Sequence, residues 1–359
     1  MKLKLVLIIA LFHCLKISGQ SIDASNFTPA TDELRGKLLF VTECHEVKTN
    51  LSEYFEIIKS ITSNFKETDT LNIIIEAPFT VSYFINKYFH NEGRTLIDSV
   101  LRNDPFKIEF YFNLRKLKKN IRFIATDFEY DHGATGGRLE AYKMYFEELK
   151  NILEKNKIDL SVVKSFIYGI RVQGVDEADV FTFKKYIQKL AINQPDSVLK
   201  LKLKEANFVL SALHLNDKLE VRDKATYSRL VDLLKSGINT ATNFNLLIYG
   251  AEHANPYLEK SLFNKLNIAE DSPFKSNVKL FANIYIECLS YGSYNQRSLV
   301  QETVGIYPNQ KEDKELITLL SNNFKNESEG SCKIFKNNLS SPLKGFQDVL
   351  YWGIHYKVK

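Results

Sequence analysis

Four short apolar runs, each followed by an acidic residue or a histidine, stand out in the hydrophobic pattern of the chain. Short apolar runs bounded by polar residues are typical of buried β-strands. Between the runs, apolar residues recur at three- and four-residue spacings, which is typical of helices with one apolar face. Strands that alternate with helices predict an α/β fold with a mostly parallel central sheet flanked by helices. The four runs are 38–41, 73–75, 123–126 and 246–249.

The helical pattern is clearest over 51–65, where Leu51, Phe55, Ile58 and Ile61 fall on one face. This helix leads from the first apolar run to the second. Together they predict a β-α-β unit, a connection that is nearly always right-handed.

The rest of the chain gives weaker patterns. Residues 139–234 carry repeated Lys and Glu between apolar positions and are predicted to form a helical insertion. The polar segment 322–338 has no clear period and is predicted to be an exposed loop. Further helices are predicted over 81–89, 96–101, 109–117 and near 256–266, and further strands over 278–286 and near 349–357.

Residues 1–20 have the features of a secretory signal peptide. Lys2 and Lys4 precede an apolar stretch over 5–15, and small residues follow around Gly19. The stretch is too short for a spanning helix, which needs about 20 apolar residues. We therefore expect the protein to be exported, to the periplasm or the extracellular space.

The mature chain is expected to be a single domain. No Pro-, Gly- or Ser-rich linker divides 21–359, so we predict one α/β domain with the helical insertion near 139–234. A lipid anchor at Cys14 is the alternative to cleavage by an ordinary signal peptidase. His13 stands where a lipoprotein signal would have a small residue, so we expect no anchor.

The charge balance excludes one class of partner. The chain has 48 basic and 43 acidic side chains, a net charge of +5, and three of the lysines belong to the signal segment. A nearly neutral chain lacks the basic footprint of a nucleic-acid-binding protein. We expect a small-molecule substrate, no nucleic acid and no membrane span. The oligomeric state is left open.

Three cysteines follow the signal segment, and an odd number leaves at least one outside an intramolecular disulfide. In an exported protein, Cys288–Cys332 is the first pair to consider. Cys44, between Glu43 and His45, is either a nucleophile or a small buried residue at a strand end. The second interpretation is favoured because neighbouring strand residues point to opposite faces.

The acids and histidines at the strand ends predict the functional site, because ligands in open α/β sheets bind at the carboxyl ends of the strands. Glu43 and His45 are two residues apart and share a strand face. A carboxylate can orient His45 as a general base. The alternative is a structural ion pair at the sheet edge, since buried charges need partners.

The other strand ends and one helix add candidates. His253 follows the fourth run, and Glu252 should point away from it. Arg222 and Asp223 are either an ordinary pair at a helix start or a site in which the arginine holds a substrate oxygen. His132 lies in the glycine-rich segment 129–137, predicted to be a loop at the mouth of the site. The predicted catalytic residues are His45, Glu43, Glu76 and His253, and the predicted substrate-binding residues are Asp127, Arg222, Asp223, Glu252 and His132.

Several of these segments resemble the motifs of the erythromycin esterase and haem-binding lipoprotein superfamily. The chain resembles a divergent member, because Thr42 and Thr226 replace the usual glycine and methionine. The resemblance implies the α/β sheet of that superfamily and a hydrolytic site at its strand ends. The similar segments, in order, are Thr42-Glu43-x-His45, Glu76 after 73–75, Asp127 after 123–125, 222–227 (RDKATY) and 250–254 (GAEHA).

Three hypotheses for function follow. The first is an exported hydrolase in which His45 activates water, carboxylates orient it, and Arg222 or His253 stabilises the tetrahedral intermediate. No Gly-x-Ser-x-Gly nucleophile elbow is present, which favours direct attack by water on an ester or a related bond.

The second hypothesis adds a divalent metal, and the third removes catalysis. A mixed nitrogen and oxygen set suits zinc or manganese, although no His-x-x-x-His or Cys-x-x-Cys pair accompanies it. No cofactor is firmly predicted. The third hypothesis is a binding protein for a ligand such as haem, with a His or one of the 18 tyrosines as axial ligand. The residues available to a metal are His45, His253, Glu43, Glu76 and Asp127.

Overall fold

The computed structural model of the protein describes most of the chain between residues 22 and 356. It forms two compact units, the first from Met1–Leu71, Leu117–Asn120 and Ile238–Lys359, the second from Asn72–Lys116 and Ile121–Gly237. The prediction of a single domain stays a prediction. The described residues are 22–24, 27, 31–44, 47, 49–90, 94–101, 104–127, 137–173, 176–211, 219–235, 243–255, 258–291, 299–304, 330–336 and 349–356.

Strands and helices alternate through the first part of the chain, helices fill its middle and strands dominate its end. The strands are β1 Ile22–Asp23, β2 Leu38–Glu43, β3 Leu71–Pro78, β4 Ile121–Asp127, β5 Phe244–Gly250, β6 Val278–Tyr291, β7 Leu299–Val304, β8 Ser331–Lys336 and β9 Val349–Tyr356. The helices are α1 Thr31–Leu34, α2 Thr49–Thr62, α3 Phe79–Phe89, α4 Arg94–Val100, α5 Pro105–Lys116, α6 Gly137–Lys155, α7 Ser161–Gln173, α8 Glu177–Asn193, α9 Ser197–Ser211, α10 Leu219–Lys235 and α11 Leu262–Ile268.

The first unit contains a mostly parallel sheet. Its strand order is β1-β8-β9-β6-β2-β5, and β7 pairs with β6 outside this path. β2 runs parallel to both β5 and β6, and β6 runs parallel to β9. β8 is antiparallel to β9, and β7 is antiparallel to β6. The chain therefore has the predicted α/β fold with a mostly parallel sheet.

The strands at the middle of this sheet are apolar along their length because both of their faces are covered. Leu38–Val41 of β2 are all buried, and Phe244–Gly250 of β5 is buried at every position. Their register places Leu39 opposite Leu246 and Glu43 opposite Gly250. In parallel neighbours, this register brings the last residue of each strand to the same edge of the sheet.

The second unit is mainly helical. β3 and β4 are neighbouring strands, and helices occupy 137–173, 176–211 and 219–235, the stretch in which a helical insertion was predicted. Aromatic rings form the centre of its core. Phe166 and Phe183 stack with centroids 4.3 Å apart, and Phe146 packs edge-on against both.

The exposed loop predicted over 322–338 is wrong where the structure describes it. Residues Ser331–Lys336 form β8, a strand between β1 and β9. Ser331, Cys332 and Ile334 are buried, whereas Lys333 is half-buried and Lys336 is exposed. The polar flanks of β8 obscured this pattern. The two-residue β1 and the strand β7 were not predicted.

The chain after β5 also differs from expectation. The strand ends at Gly250 and continues as a short 3₁₀ helix, Ala251–Ala254, and α11 begins at Leu262. Part of the predicted helix near 256–266 lies outside the described residues. Among the described helices, none is both long enough and apolar enough to cross a membrane.

An ion pair joins the segment before β2 to the segment before β3 in the first unit. Arg35 Nη1 lies 2.9 Å from Asp69 Oδ1, and the guanidinium lies 4.8 Å from the ring centroid of Phe244. The main-chain N–H of Lys66 donates to Asp69 Oδ2 at 2.9 Å. The hydrogen bond from Arg35, followed by that from Lys66, lowers the pKa of the Asp69 carboxyl below its ordinary value.

Replacing Asp69 with Asn is expected to reduce the acid sensitivity of the protein. Because the folded-state pKa is lowered, ionised Asp69 stabilises the fold above its unfolded pKa of about 3.9, and this contribution is lost as the pH falls through the folded-state pKa. Urea unfolding between neutral pH and about pH 3 should give a shallower acid decline for Asp69→Asn than for wild type. The exposed neighbour Glu67, changed to Gln, is the control. Equal slopes for wild type and Asp69→Asn would contradict the assignment.

Candidate active site

Two strand-end carboxylates of the second unit contact the same arginine. Glu76 lies near the end of β3, and Asp127 is the last residue of β4. Arg222 on α10 donates from Nη2 to Glu76 Oε1 at 2.7 Å and lies 3.4 and 3.3 Å from the two carboxylate oxygens of Asp127. Three of the predicted site residues are therefore brought together.

The Glu76–Arg222–Asp127 cluster is buried on its acidic side. The side chains of Glu76 and Asp127 are 7% and 3% exposed, whereas that of Arg222 is 29% exposed. Burial alone would lower the pKa of Arg222. The charges of Asp127 and Glu76 outweigh burial and raise that pKa above its ordinary value. Arg222 is thus a permanent cation that solvent reaches from one side.

One face of α10 attaches the helix to the end of β4. Arg222, Thr226 and Arg229 follow the three- and four-residue spacing of a helix face. Arg229 Nη1 donates to the main-chain oxygens of Asp127 and Thr126 at 2.5 and 3.3 Å, and Thr226 Oγ1 lies 3.5 Å from the Thr126 oxygen. Arg222 bonds the strand-end carboxylates rather than the adjacent Asp223, which is buried at 1% exposure. Arg222 and Asp223 are therefore not an ordinary pair of charged residues at a helix start.

In the first unit, Glu43 ends β2 and is held by a tyrosine. Tyr54 Oη on α2 donates to Glu43 Oε2 at 2.5 Å. Burial, and then the negative charge of Glu43, raise the pKa of Tyr54 well above its ordinary value. Tyr54 therefore stays protonated and acts as the donor in this contact, and the Glu43 carboxylate is fixed in place.

His253 lies at the same sheet edge as Glu43, in the 3₁₀ helix that follows β5. It is 4% exposed, and its ring packs edge-on against Tyr249 at 5.3 Å. Glu252 is exposed, as expected of a residue that points away from His253. The strand geometry assumed for 251–253 was wrong, because a 3₁₀ turn replaces the strand there.

Two predicted site residues, His45 and His132, lie outside the described residues, as does His214. Cys44, beside His45, is half-buried and packs against Val47 and Tyr285. Asn50 on α2 donates to the Cys44 main-chain oxygen at 2.8 Å. These contacts agree with a packed residue at the strand end.

Sequence reasoning missed Tyr54 and Arg229. Arg229 follows Arg222 by seven residues, which places both on one helix face, so the helical period was a signal that could have found it. Tyr54 carried no comparable signal. A tyrosine on a helix with an apolar face is most often a core residue, and only the structure shows that its hydroxyl reaches Glu43.

Solved structures share this arrangement of strands and helices. The chain has a TM-score of 0.58 at 11% identity with a mutant of an erythromycin esterase in its open conformation, over 95% of both chains. The fold is erythromycin-esterase-like. A protein from Bacillus cereus (10% identity, 93% of both chains) and a succinoglycan biosynthesis protein (12% identity, 91% of this chain and 89% of that one) each have a TM-score of 0.52. No protein-family model matches the sequence, and no curated protein matches it. At these identities the likeness shows the fold alone.

Replacing Arg222 with Met should destabilise the protein. Two buried carboxylates would lose their cation, which costs about 3 kcal/mol in the free energy of unfolding at neutral pH, the lower end for buried pairs because Arg222 is partly exposed. Urea unfolding of wild type and Arg222→Met at neutral pH measures it.

Arg229→Met is the control for Arg222→Met, since it removes an arginine from the same helix face whose hydrogen bonds to Thr126 and Asp127 go to main-chain oxygens. It should cost about 1–2 kcal/mol. A loss for Arg222→Met no larger than that for Arg229→Met would show that Arg222 does not balance the charges of Glu76 and Asp127.

Proposed function

We propose that the protein is an exported hydrolase of the erythromycin-esterase type, which attacks an ester or a related bond with water. The shared fold supports the choice of reaction class. The observation that carries the proposal is the partly exposed Arg222, held by the buried carboxylates of Glu76 and Asp127.

Arg222 is suited to binding an oxygen that becomes negative during the reaction. A guanidinium has five N–H donors, and the contacts of Arg222 with Glu76 and Asp127 use Nη2 alone. Among the described residues no acceptor contacts Nη1 or Nε, so these donors are available to a substrate carbonyl. Fixed donors stabilise an oxyanion strongly because they need no reorganisation when its charge develops. The two carboxylates hold Arg222 in place for this role.

His45 is proposed as the general base that removes a proton from the attacking water. Glu43 precedes it by two residues, and the hydrogen bond from Tyr54 fixes the Glu43 carboxylate. An imidazole can accept a proton from water and then return it to the leaving group. His253 is proposed as a second group that stabilises the intermediate.

Substrate contacts for Asp127, Asp223, Glu252 and His132 stay predictions, and so does export. Asp127 is buried and contacts Arg222, so it would also hold that arginine in position. A metal-dependent reaction at these residues and the capture of a haem-like ligand are the competing functions. Capture of a haem-like ligand gives a different result in the second experiment below.

The first experiment is a hydrolysis screen over esters, lactones, amides and phosphoesters with wild type and His45→Ala. Removal of a general base typically costs a factor of about 10²–10⁴ in rate, so a loss of at least about a hundredfold is expected. His90→Ala is the matched control, because His90 is exposed at the end of α3 and should leave the rate unchanged. Equal rates in wild type and His45→Ala would exclude His45 as the base.

The second experiment separates binding from chemistry. Arg222→Lys keeps a positive charge but loses the planar donors, so kcat should fall by about 10²-fold while KM changes little. Arg229→Lys should keep both constants near wild type, since the hydrogen bonds of Arg229 to Thr126 and Asp127 go to main-chain oxygens. An effect on KM alone would assign Arg222 to ground-state binding. A Soret band on adding haem, without turnover of any substrate, would favour the binding protein.

A further inference from the structure

Three side chains able to bind a metal meet inside the first unit, and none of them is a residue proposed for hydrolysis. Glu53 comes from α2, Cys332 from β8 and His355 from β9. All three are fully buried, with 0% exposure. They are the one such group of three among the described residues.

The distances between the three donor atoms match the edges of a zinc tetrahedron. His355 Nε2 lies 3.4 Å from Glu53 Oε1, and Cys332 Sγ lies 3.7 Å from Glu53 Oε1 and 3.8 Å from His355 Nε2. Tetrahedral zinc with ordinary bond lengths places such donors about 3.3–3.6 Å apart. A metal ion would therefore fit between the three atoms after shifts of a few tenths of an ångström.

The surrounding residues orient the donors as they do around structural metals. Thr49 Oγ1 lies 2.6 Å from His355 Nδ1. In the tautomer in which Nδ1 donates to this hydroxyl, the lone pair of Nε2 faces Cys332 and Glu53. Asn283 Nδ2 donates to Glu53 Oε2 at 2.9 Å, which leaves Oε1 for the cluster. Partners of this kind fix the tautomer and the orientation of metal ligands.

A fourth donor faces the same carboxylate. Asn283 is 1% exposed, and its Oδ1 has no hydrogen-bond partner among the described residues. A Cβ added at Gly353 would collide with both Asn283 Oδ1 and Glu53 Oε1, so the two oxygens share the space above Gly353. A buried carbonyl oxygen without a partner costs about 1–3 kcal/mol. A bound cation would remove that cost.

The formal charges of the ligand set also suit a dication. As metal ligands, a thiolate and a carboxylate would carry two negative charges, which a fully buried site could not hold without a cation. A Zn²⁺ ion with a neutral imidazole balances them. Thiolate, imidazole and carboxylate together suit zinc better than magnesium or calcium, which prefer oxygen ligands alone.

We propose that Glu53, Cys332 and His355 bind a structural zinc ion, with Asn283 Oδ1 as the fourth ligand. The site lies where α2 packs on β8 and β9, so the ion would join the helix to the edge of the sheet. The competing arrangement is metal-free, with the thiol and imidazole sharing protons with the carboxylate. A Cys288–Cys332 disulfide would also compete. In the structure, Cys332 is in no disulfide with a described residue.

Metal analysis of the full chain, purified without chelator and dialysed, tests the proposal. Wild type should retain about one zinc ion per chain. Cys332→Ser and His355→Gln should each lose most of it. Cys44→Ser is the matched control, because Cys44 lies at the end of β2 and has no place in the cluster. It should retain zinc as wild type does.

Cobalt substitution of wild type keeps the test valid if a variant fails to fold. Unfolding with chelator and refolding with Co²⁺ should give the visible bands of tetrahedral cobalt and a thiolate-to-cobalt charge-transfer band. Chelator should also lower the Tm, and added Zn²⁺ should restore it. A zinc-free wild type that shows no cobalt bands and no Tm response to Zn²⁺ would overturn the proposal. A Cys288–Cys332 disulfide found by mass spectrometry would overturn it as well.

Discussion

The cost of removing a carboxylate from water explains the arrangement of the polar interior. An ionised group in a low-dielectric interior must be neutralised or fully hydrogen-bonded. Five of the acids described above meet that requirement through a partner from another segment of the chain. Glu76 and Asp127 have Arg222, Glu43 has Tyr54, Glu53 has Asn283 and His355, and Asp69 has Arg35. The partners in turn fix which helix faces which strand end.

The strand ends were predictable because each follows an apolar run long enough to be recognised. As predicted, Glu43 and Asp127 are the last residues of β2 and β4, and Glu76 lies near the end of β3. The mostly parallel α/β fold followed from the same alternation. Burial of apolar runs is a local property of the sequence, and local properties can be read from one chain.

The partners were not predictable, because they come from distant parts of the chain. Arg222 and Glu76 are 146 residues apart, and His355 and Thr49 are 306 residues apart. A single sequence does not say which of many arginines or threonines will meet a given acid or imidazole. The strand β8 was not predicted for a related reason. It has only six residues and its neighbours in the sequence are polar. Its conformation therefore depends on its pairing with β1 and β9.

The order of the strands also sets when the first unit can fold. In its sheet β2 pairs with β5, although the residues of the second unit lie between these two strands in the sequence. β9, the last strand described, lies between β6 and β8. During synthesis this sheet therefore cannot be completed until β9 has left the ribosome. The residues of the second unit are all synthesised much earlier. Loop closure over such separations is slow. The apolar surfaces of β2 and α2 therefore stay partly exposed until the later strands are synthesised. A chaperone that binds these surfaces during synthesis would protect the chain from aggregation.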